Sequence, residues 1–140
     1  PMLATLCLAL AIYHEARGEN YVAKLAVSKV IFNRMESKRW PSGTCEVVFQ
    51  PKQFSFVQKG RVPMPKNEEI WQKTYDLAEK IMKNPEILPK TDADHYHSVR
   101  VKPVWRTKLY RIVRIGNHVF YSYKQPKPLK TSLIPKIRGE

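Results

Sequence analysis

The residues best placed to do chemistry are in the segment His14-Glu15-Ala16-Arg17-Gly18-Glu19, which closes the apolar run Leu3 to Tyr13. A carboxyl at the end of a buried helix is partly desolvated, which raises its pKa and keeps its proton near neutral pH. Such a proton suits a general acid that must protonate a leaving oxygen. Glycosidic bonds need that service, because a sugar alkoxide is a poor leaving group. By residue type and position alone a second reading stays open, in which Glu15 pairs with Arg17 or another base at the surface. Asn33-Arg34 is read as a tie between helices rather than a substrate contact, and Arg34 could pair Glu19 or Glu15 and so tune the acid. Glycosidic cleavage normally uses two carboxylates. Glu19 follows Glu15 by four residues, but Gly18 is expected to break the helix between them. Asp92 and Asp94 could reach Glu15 only through folding. A single acid suffices where a hydroxyl of the substrate is the internal nucleophile: the acid protonates the bridging oxygen, then accepts the proton of the attacking hydroxyl.

Other constellations are weaker. His95, His97 and His118 lie near the two aspartates, and His and carboxylate are good zinc ligands. His95 and His97 are read here as pointing to opposite faces of a strand, where a lone histidine is usually a packing or hydrogen-bonding residue, so no metal and no cofactor are expected. Cys7 and Cys45 make at most one disulfide and form no CxxC pair, which removes zinc-ribbon and thioredoxin-type sites. A bridge between them would imply an oxidising compartment; otherwise Cys7 is a small buried hydrophobe.

These residues must be positioned by a chain of 140 residues, enough for one ordinary domain. Its hydrophobic share of 43% and charged share of 26% are ordinary globular usage, which argues against wholesale disorder. Met2 to Tyr13 is too short to span a bilayer and lacks the basic start of a signal peptide. Leu3 to Tyr13 reads as a centrally buried helix. Asn20 caps a second helix through about Met35, with Ala23, Ala26, Val27, Val30 and Ile31 as its apolar stripe. Cys45 to Phe49 fits a strand or a helix, and Gln50 to Pro65 is mostly loop. Asn67 begins a third helix that presents Trp71, Tyr75, Ala78 and Met82 on one face and ends at Asn84-Pro85. After Pro89 the pattern alternates. Leu109 to Ile115 is extended, and Gly116-Asn117 fits a tight hairpin turn into His118 to Tyr121. A helical front half followed by a small antiparallel β unit makes the fold class α+β. The domain is expected over residues 3–123, and 124–140 is read as a basic, proline-containing arm or tail.

Twenty-five Lys and Arg against twelve Asp and Glu give a net charge of +13, and no acid occurs between His95 and Gly139. Such a chain is drawn to polyanions: nucleic acid, anionic lipid or an acidic cell-wall polymer. A basic nucleic-acid-binding module is the alternative of a different class. No zinc-finger, RNP or basic-zipper spacing supports it, so no specific nucleic acid is expected.

The ordered motifs resemble the SleB-type cell wall hydrolases, the catalytic domains of spore cortex-lytic enzymes and their relatives in bacteria and phages. The resemblance runs from Cys7-Leu8-Ala9-Leu10 and Ile12 to Glu19 through Leu25-Ala26-Val27, Asn33-Arg34, Pro41, Cys45, Val47-Val48 and Gln53-Phe54-Ser55. It continues with Ala93, His95-Tyr96-His97, Pro103, Trp105, Gly116, His118 and Phe120-Tyr121. It implies a small lysozyme-like fold that cuts peptidoglycan between N-acetylmuramic acid and N-acetylglucosamine. Glu15 would be acid and then base in a lytic transglycosylase reaction that leaves 1,6-anhydromuramic ends. Gln53 and Ser55 would line the groove from one side, and Tyr96, His97 and Tyr121 from the β side. Two departures bear on mechanism. Phe56 stands where relatives often have Trp; it can stack on a sugar but lacks the indole N–H. Asp92 and Asp94 sit where relatives commonly read GATHYH. If either, or Glu19, faces the anomeric carbon, hydrolysis to a reducing muramic end is the alternative outcome. The expected partners are glycan strands and, through charge, anionic envelope polymers, with the chain a monomer. The expected place of action is outside the cytoplasmic membrane, for either a trimmed exported protein or a phage lysin made in the host cytoplasm.

Overall fold

The computed structural model describes residues 2–50, 53–58 and 61–127. Helix α1, Met2–Ala16, is apolar nearly all round and becomes the central post, with Cys7, Leu8, Ala9, Ala11 and Ile12 almost wholly buried. It extends past Tyr13, so Glu15 lies in its last turn, and Gly18 falls in the turn that follows. Helix α2, Tyr21–Glu36, begins at Asn20, whose Oδ1 accepts the Ala23 N–H at 2.8 Å, satisfying a helix-end donor. The expected stripe from Ala23 to Ile31 is buried in full. Helix α3, Thr44–Val48, decides the ambiguous segment in favour of helix. A Cys7–Cys45 disulfide, Cα to Cα 5.2 Å, ties it to α1.

Helix α4, Glu68–Lys83, is capped by Asn67 Oδ1 on the Ile70 N–H at 2.9 Å and packs on α1. Its buried centre is Thr74, Ala78 and Ile81, with Trp71, Tyr75 and Met82 half-buried along the borders. The expected face is therefore rotated. Thr74 tolerates the interior because its hydroxyl donates to the Ile70 carbonyl at 2.8 Å. A 3-10 turn, Pro85–Ile87, follows.

Three strands make one antiparallel sheet: β1, His95–Ser98, β2, Tyr110–Ile115, and β3, His118–Ser122, in the order β1-β3-β2. A second 3-10 turn, Val104–Thr107, precedes β2. The central strand β3 is buried along its length. Gly116 turns the β2–β3 hairpin at φ +57°, a left-handed conformation that favours glycine. An irregularity between Arg111 and Val113 breaks the alternation of β2, so Ile112 and Ile115 both pack on the same cluster. One core lies among α1, α3, α4 and the 54–56 loop; the other joins Ala26, Val27 and Val30 of α2 to Phe120. The architecture is α+β.

Of the arm expected over 124–140, Lys124 N–H bonds Ser122 Oγ and Lys127 N–H bonds Asp92 Oδ2. Residues 128–140 lie outside the described residues.

Candidate active site

Glu15 is half-buried in the last turn of α1, and Tyr96, from the middle of β1, donates its hydroxyl to Glu15 Oε1. Burial pushes the Glu15 carboxyl above the usual carboxylate range; the Tyr96 hydrogen bond and the charges of His118 and Arg34 pull the other way without cancelling it. Burial also drives the Tyr96 hydroxyl well above its ordinary value, and the neighbouring Glu15 adds to this. Tyr96 is therefore a neutral donor throughout the physiological range.

Arg34, in the last turn of α2, is only 4% exposed. Its Nε donates to the Asp94 carbonyl at 2.8 Å and its Nη1 to Gln53 Oε1 at 3.3 Å. The guanidinium lies 5.2 Å from the Trp40 ring centre and 5.5 Å from that of Phe54. Burial lowers its pKa, offset by Tyr96, Asp94 and Glu15. Among the described residues it forms no contact ion pair with a carboxylate, so it acts on Glu15 through its field. His118, at the start of β3, packs against the Tyr96 ring at 5.1 Å. Its Nδ1 stands 3.6 Å from Glu19 Oε1, an ion-pair distance beyond hydrogen-bond reach.

Of the residues expected around the glycan, the structure brings Tyr96 to Glu15 and keeps Gln53 and Ser55 exposed on their loop, with Gln53 held by Arg34. His97 and Tyr121 go elsewhere. Tyr96 pairs with Phe120 across the sheet, so its neighbour His97 and Phe120's neighbour Tyr121 belong to the other face. There His97 Nδ1 donates to the Ser98 carbonyl at 2.7 Å, so in the neutral ring Nε2 accepts the Tyr121 hydroxyl at 2.8 Å. His95 and His97 do not point apart as expected: positions two apart on a strand share a face, and both rings pack against Trp105, at 5.3 and 5.6 Å.

The three further carboxylates are committed away from Glu15. Glu19 accepts the Asn117 N–H at 2.8 Å and its side-chain amide at 3.2 Å, which lowers its pKa. Asp94 is buried and accepts His95 Nδ1 at 2.7 Å and the Tyr123 N–H at 3.2 Å. Asp92 accepts the Lys127 N–H at 3.0 Å. Phe56 is also not free for a sugar: it is 9% exposed and stacks on His14 at 4.7 Å. His14 in turn donates from Nε2 to the Pro63 carbonyl at 2.8 Å. A cavity of about 730 Å³, lined by Phe56, Gln58, Arg61, Val62 and Pro63, therefore adjoins the end of α1. Among the described residues no three His, Cys, Asp or Glu are grouped to hold a metal ion.

Sequence reading left Arg34 as a base that could pair Glu19 or Glu15 and missed His118 beside the acid; among the described residues Arg34 makes contact with neither carboxylate and reaches Glu15 only through its charge. It took Asn33-Arg34 for a tie between helices; in fact Asn33 Nδ2 donates to the Thr91 and Ala93 carbonyls at 2.9 and 2.7 Å, binding α2 to the lead-in of β1.

The family model for cell wall hydrolases matches residues 18–121. The chain belongs to the cell wall hydrolase family. The family interval takes in Arg34, Tyr96 and His118 and begins just after Glu15. The spore cortex-lytic enzyme of Bacillus subtilis (strain 168) is 34% identical over 113 residues, 81% of this chain and 35% of that protein. The one from Halalkalibacterium halodurans is 33% identical over 114 residues, 81% of this chain and 33% of that protein. The chain thus spans about a third of the length of these curated relatives. Two solved structures share the fold. The catalytic domain of the germination-specific lytic transglycosylase SleB from Bacillus anthracis superposes at TM-score 0.69, with 28% identity, covering 87% of this chain and 96% of that one. The catalytic domain of Bacillus cereus SleB gives 0.65, with 28% identity and coverage of 87% and 91%. The chain is a SleB-type member of the family.

Proposed function

We propose that this chain degrades peptidoglycan by cleaving the bond between N-acetylmuramic acid and N-acetylglucosamine, as a lytic transglycosylase with Glu15 as general acid and then base. The observation that carries the reading is a half-buried carboxyl whose burial favours the protonated form, with a hydrogen bond from Tyr96 fixing its orientation. In the first half of the reaction the Glu15 carboxyl gives its proton to the bridging oxygen as the bond from the muramic C1 to that oxygen breaks. In the second half the Glu15 carboxylate takes the proton of the muramic C6 hydroxyl as O6 bonds to C1. No water is consumed, and Glu15 regains its proton. While Glu15 is an anion, the buried Arg34 guanidinium supplies nearby positive charge that makes this state accessible.

The engagement of Glu19, Asp92 and Asp94 with other partners supports the single-acid route over hydrolysis by two carboxylates. Action on the wall places the working enzyme outside the cytoplasmic membrane. Mass spectrometry of the muropeptides released from purified sacculi tests the route. Anhydro ends, one water lighter than reducing ends, are expected; reducing ends throughout would establish hydrolysis instead.

A further inference from the structure

A second cavity, of about 510 Å³, opens where the end of α2 meets the chain leaving β3. That volume lies within the roughly 300–1,000 Å³ of small-ligand pockets. Tyr123 forms part of its wall, with the Arg39 guanidinium 4.0 Å and the Lys124 ammonium 5.5 Å from the ring centre. Lys38 and Lys127 add two further cations. None of the four is ion-paired to a carboxylate among the described residues. Two of the three acids in the wall, Asp92 and Asp94, already accept backbone N–H groups, leaving Glu36 at the rim. The cavity is thus positive in balance but mixed in sign. A planar guanidinium stacked on an aromatic ring is held in place before any ligand arrives, so little freedom is lost when it grips a carboxylate.

Its position connects it to Glu15. Asn33 lines the cavity, and its neighbour Arg34 bonds the carbonyl of Asp94, another wall residue. The Trp40 ring lies between the two sites, 5.2 Å from Arg34 and 6.0 Å from the Tyr123 ring. A glycan strand seated at Glu15 carries short peptides on its muramic residues, and those peptides bear free carboxylates and, in some, an amino group.

We propose that this cavity is a second subsite that takes the carboxylate-bearing peptide stem of a muramic residue, with Arg39 and Lys124 gripping the carboxylates. The assignment rests on the glycan-cleaving reading above. The mixed charge favours a zwitterionic peptide over a uniformly anionic phosphodiester polymer, which Glu36 would repel.

The test compares glycan chains bearing tetrapeptide stems with the same chains stripped by an amidase. Wild-type protein is expected to show the higher kcat/KM on the stemmed chains, mainly through KM. In Arg39→Glu/Lys124→Glu that preference should shrink about tenfold, whereas Lys80→Glu/Lys83→Glu, which changes net charge equally on exposed positions of α4, a helix that contributes nothing to the cavity wall, should leave the ratio as it was. Free tetrapeptide titrated into wild-type protein should shift the Tyr123 amide resonance, and the double variant should lose the shift. Arg39→Gln, milder in charge, should fall between. Equal rates on both chains, the same ratio change in both double variants, or a Tyr123 signal that moves with a glycerol phosphate polymer but not with peptide would each overturn the proposal. Wild-type protein that cut neither chain would sink the glycan-cleaving reading, while the peptide titration would still report on the subsite.

Discussion

Glu15 sits where opposing effects meet, with burial the largest of them. Burial favours its neutral form, while the Tyr96 hydroxyl, His118 and Arg34 favour the anion. That balance suits a group that must be acid in one half-reaction and base in the next. Glu15→Gln keeps shape and hydrogen bonding but has no proton to give, so turbidity loss on sacculi should fall at least ~10²-fold with the circular dichroism spectrum unchanged. An active Glu15→Gln protein would rule the mechanism out. Tyr96→Phe removes a hydrogen bond that favours the ionised carboxylate, so the alkaline limb of the kcat/KM profile should move to higher pH. Movement to lower pH would contradict the assignment. Stability carries the same sign. A carboxyl raised in the folded state holds its proton there after the unfolded chain has released it, so its contribution is lost as pH rises from the ordinary carboxyl value through the raised one. Urea unfolding should therefore show Glu15→Gln gaining on wild type as pH rises across that window.

At the scale of elements, the site depends on how α1, α2 and the hairpin are fastened together. Glu19 spans from the α1–α2 turn to the β2–β3 turn, and a Cβ on Gly116 would lie 2.5 Å from Glu19 Oε1. Gly116→Ala meets both that contact and the left-handed φ of +57°, a cost of roughly 1–2 kcal/mol in backbone terms alone. The melting temperature should drop by several degrees, and activity should fall further than the loss of folded protein explains, because His118 follows directly on this turn. A melting temperature within one degree of wild type would show the strap to be slack. The Cys7–Cys45 bridge closes a separation of 38 residues between α1 and α3. Replacing both cysteines by serine should cost roughly 2–4 kcal/mol, read by denaturant unfolding, with the fold retained through the α1–α4 packing.

For the molecule as a whole, the net charge of +13 finds few partners within the fold. The only ion pairs among the described residues are Lys73–Glu69 and two involving histidine. The cations around β2, such as Arg111, face solvent, which suits attraction to an anionic envelope without sequence-specific recognition. Sacculus binding should weaken markedly between low and high salt, as screened surface charges must; binding indifferent to salt would count against a role for charge. The nucleic-acid module that charge alone allowed gives way to membership of the cell wall hydrolase family.

The order of the helices, their asparagine caps and the Gly116 hairpin were legible in the chain itself, because each follows from neighbours within one or two turns. The segment at Cys45 was not, since five residues are too few to separate a period of two from one of 3.6. The candidate acid could be picked out at the end of an apolar run, but its surroundings could not. Tyr96, Arg34 and His118 come to it from β1, α2 and β3, elements up to a hundred residues away in the chain. His97 and Tyr121 belong to the same motifs yet are turned to the far face by strand alternation and register. Local sequence determined which elements form and where they stop. Only packing decided which side chains share a face, and with it the balance of burial and charge on which a carboxyl's proton depends.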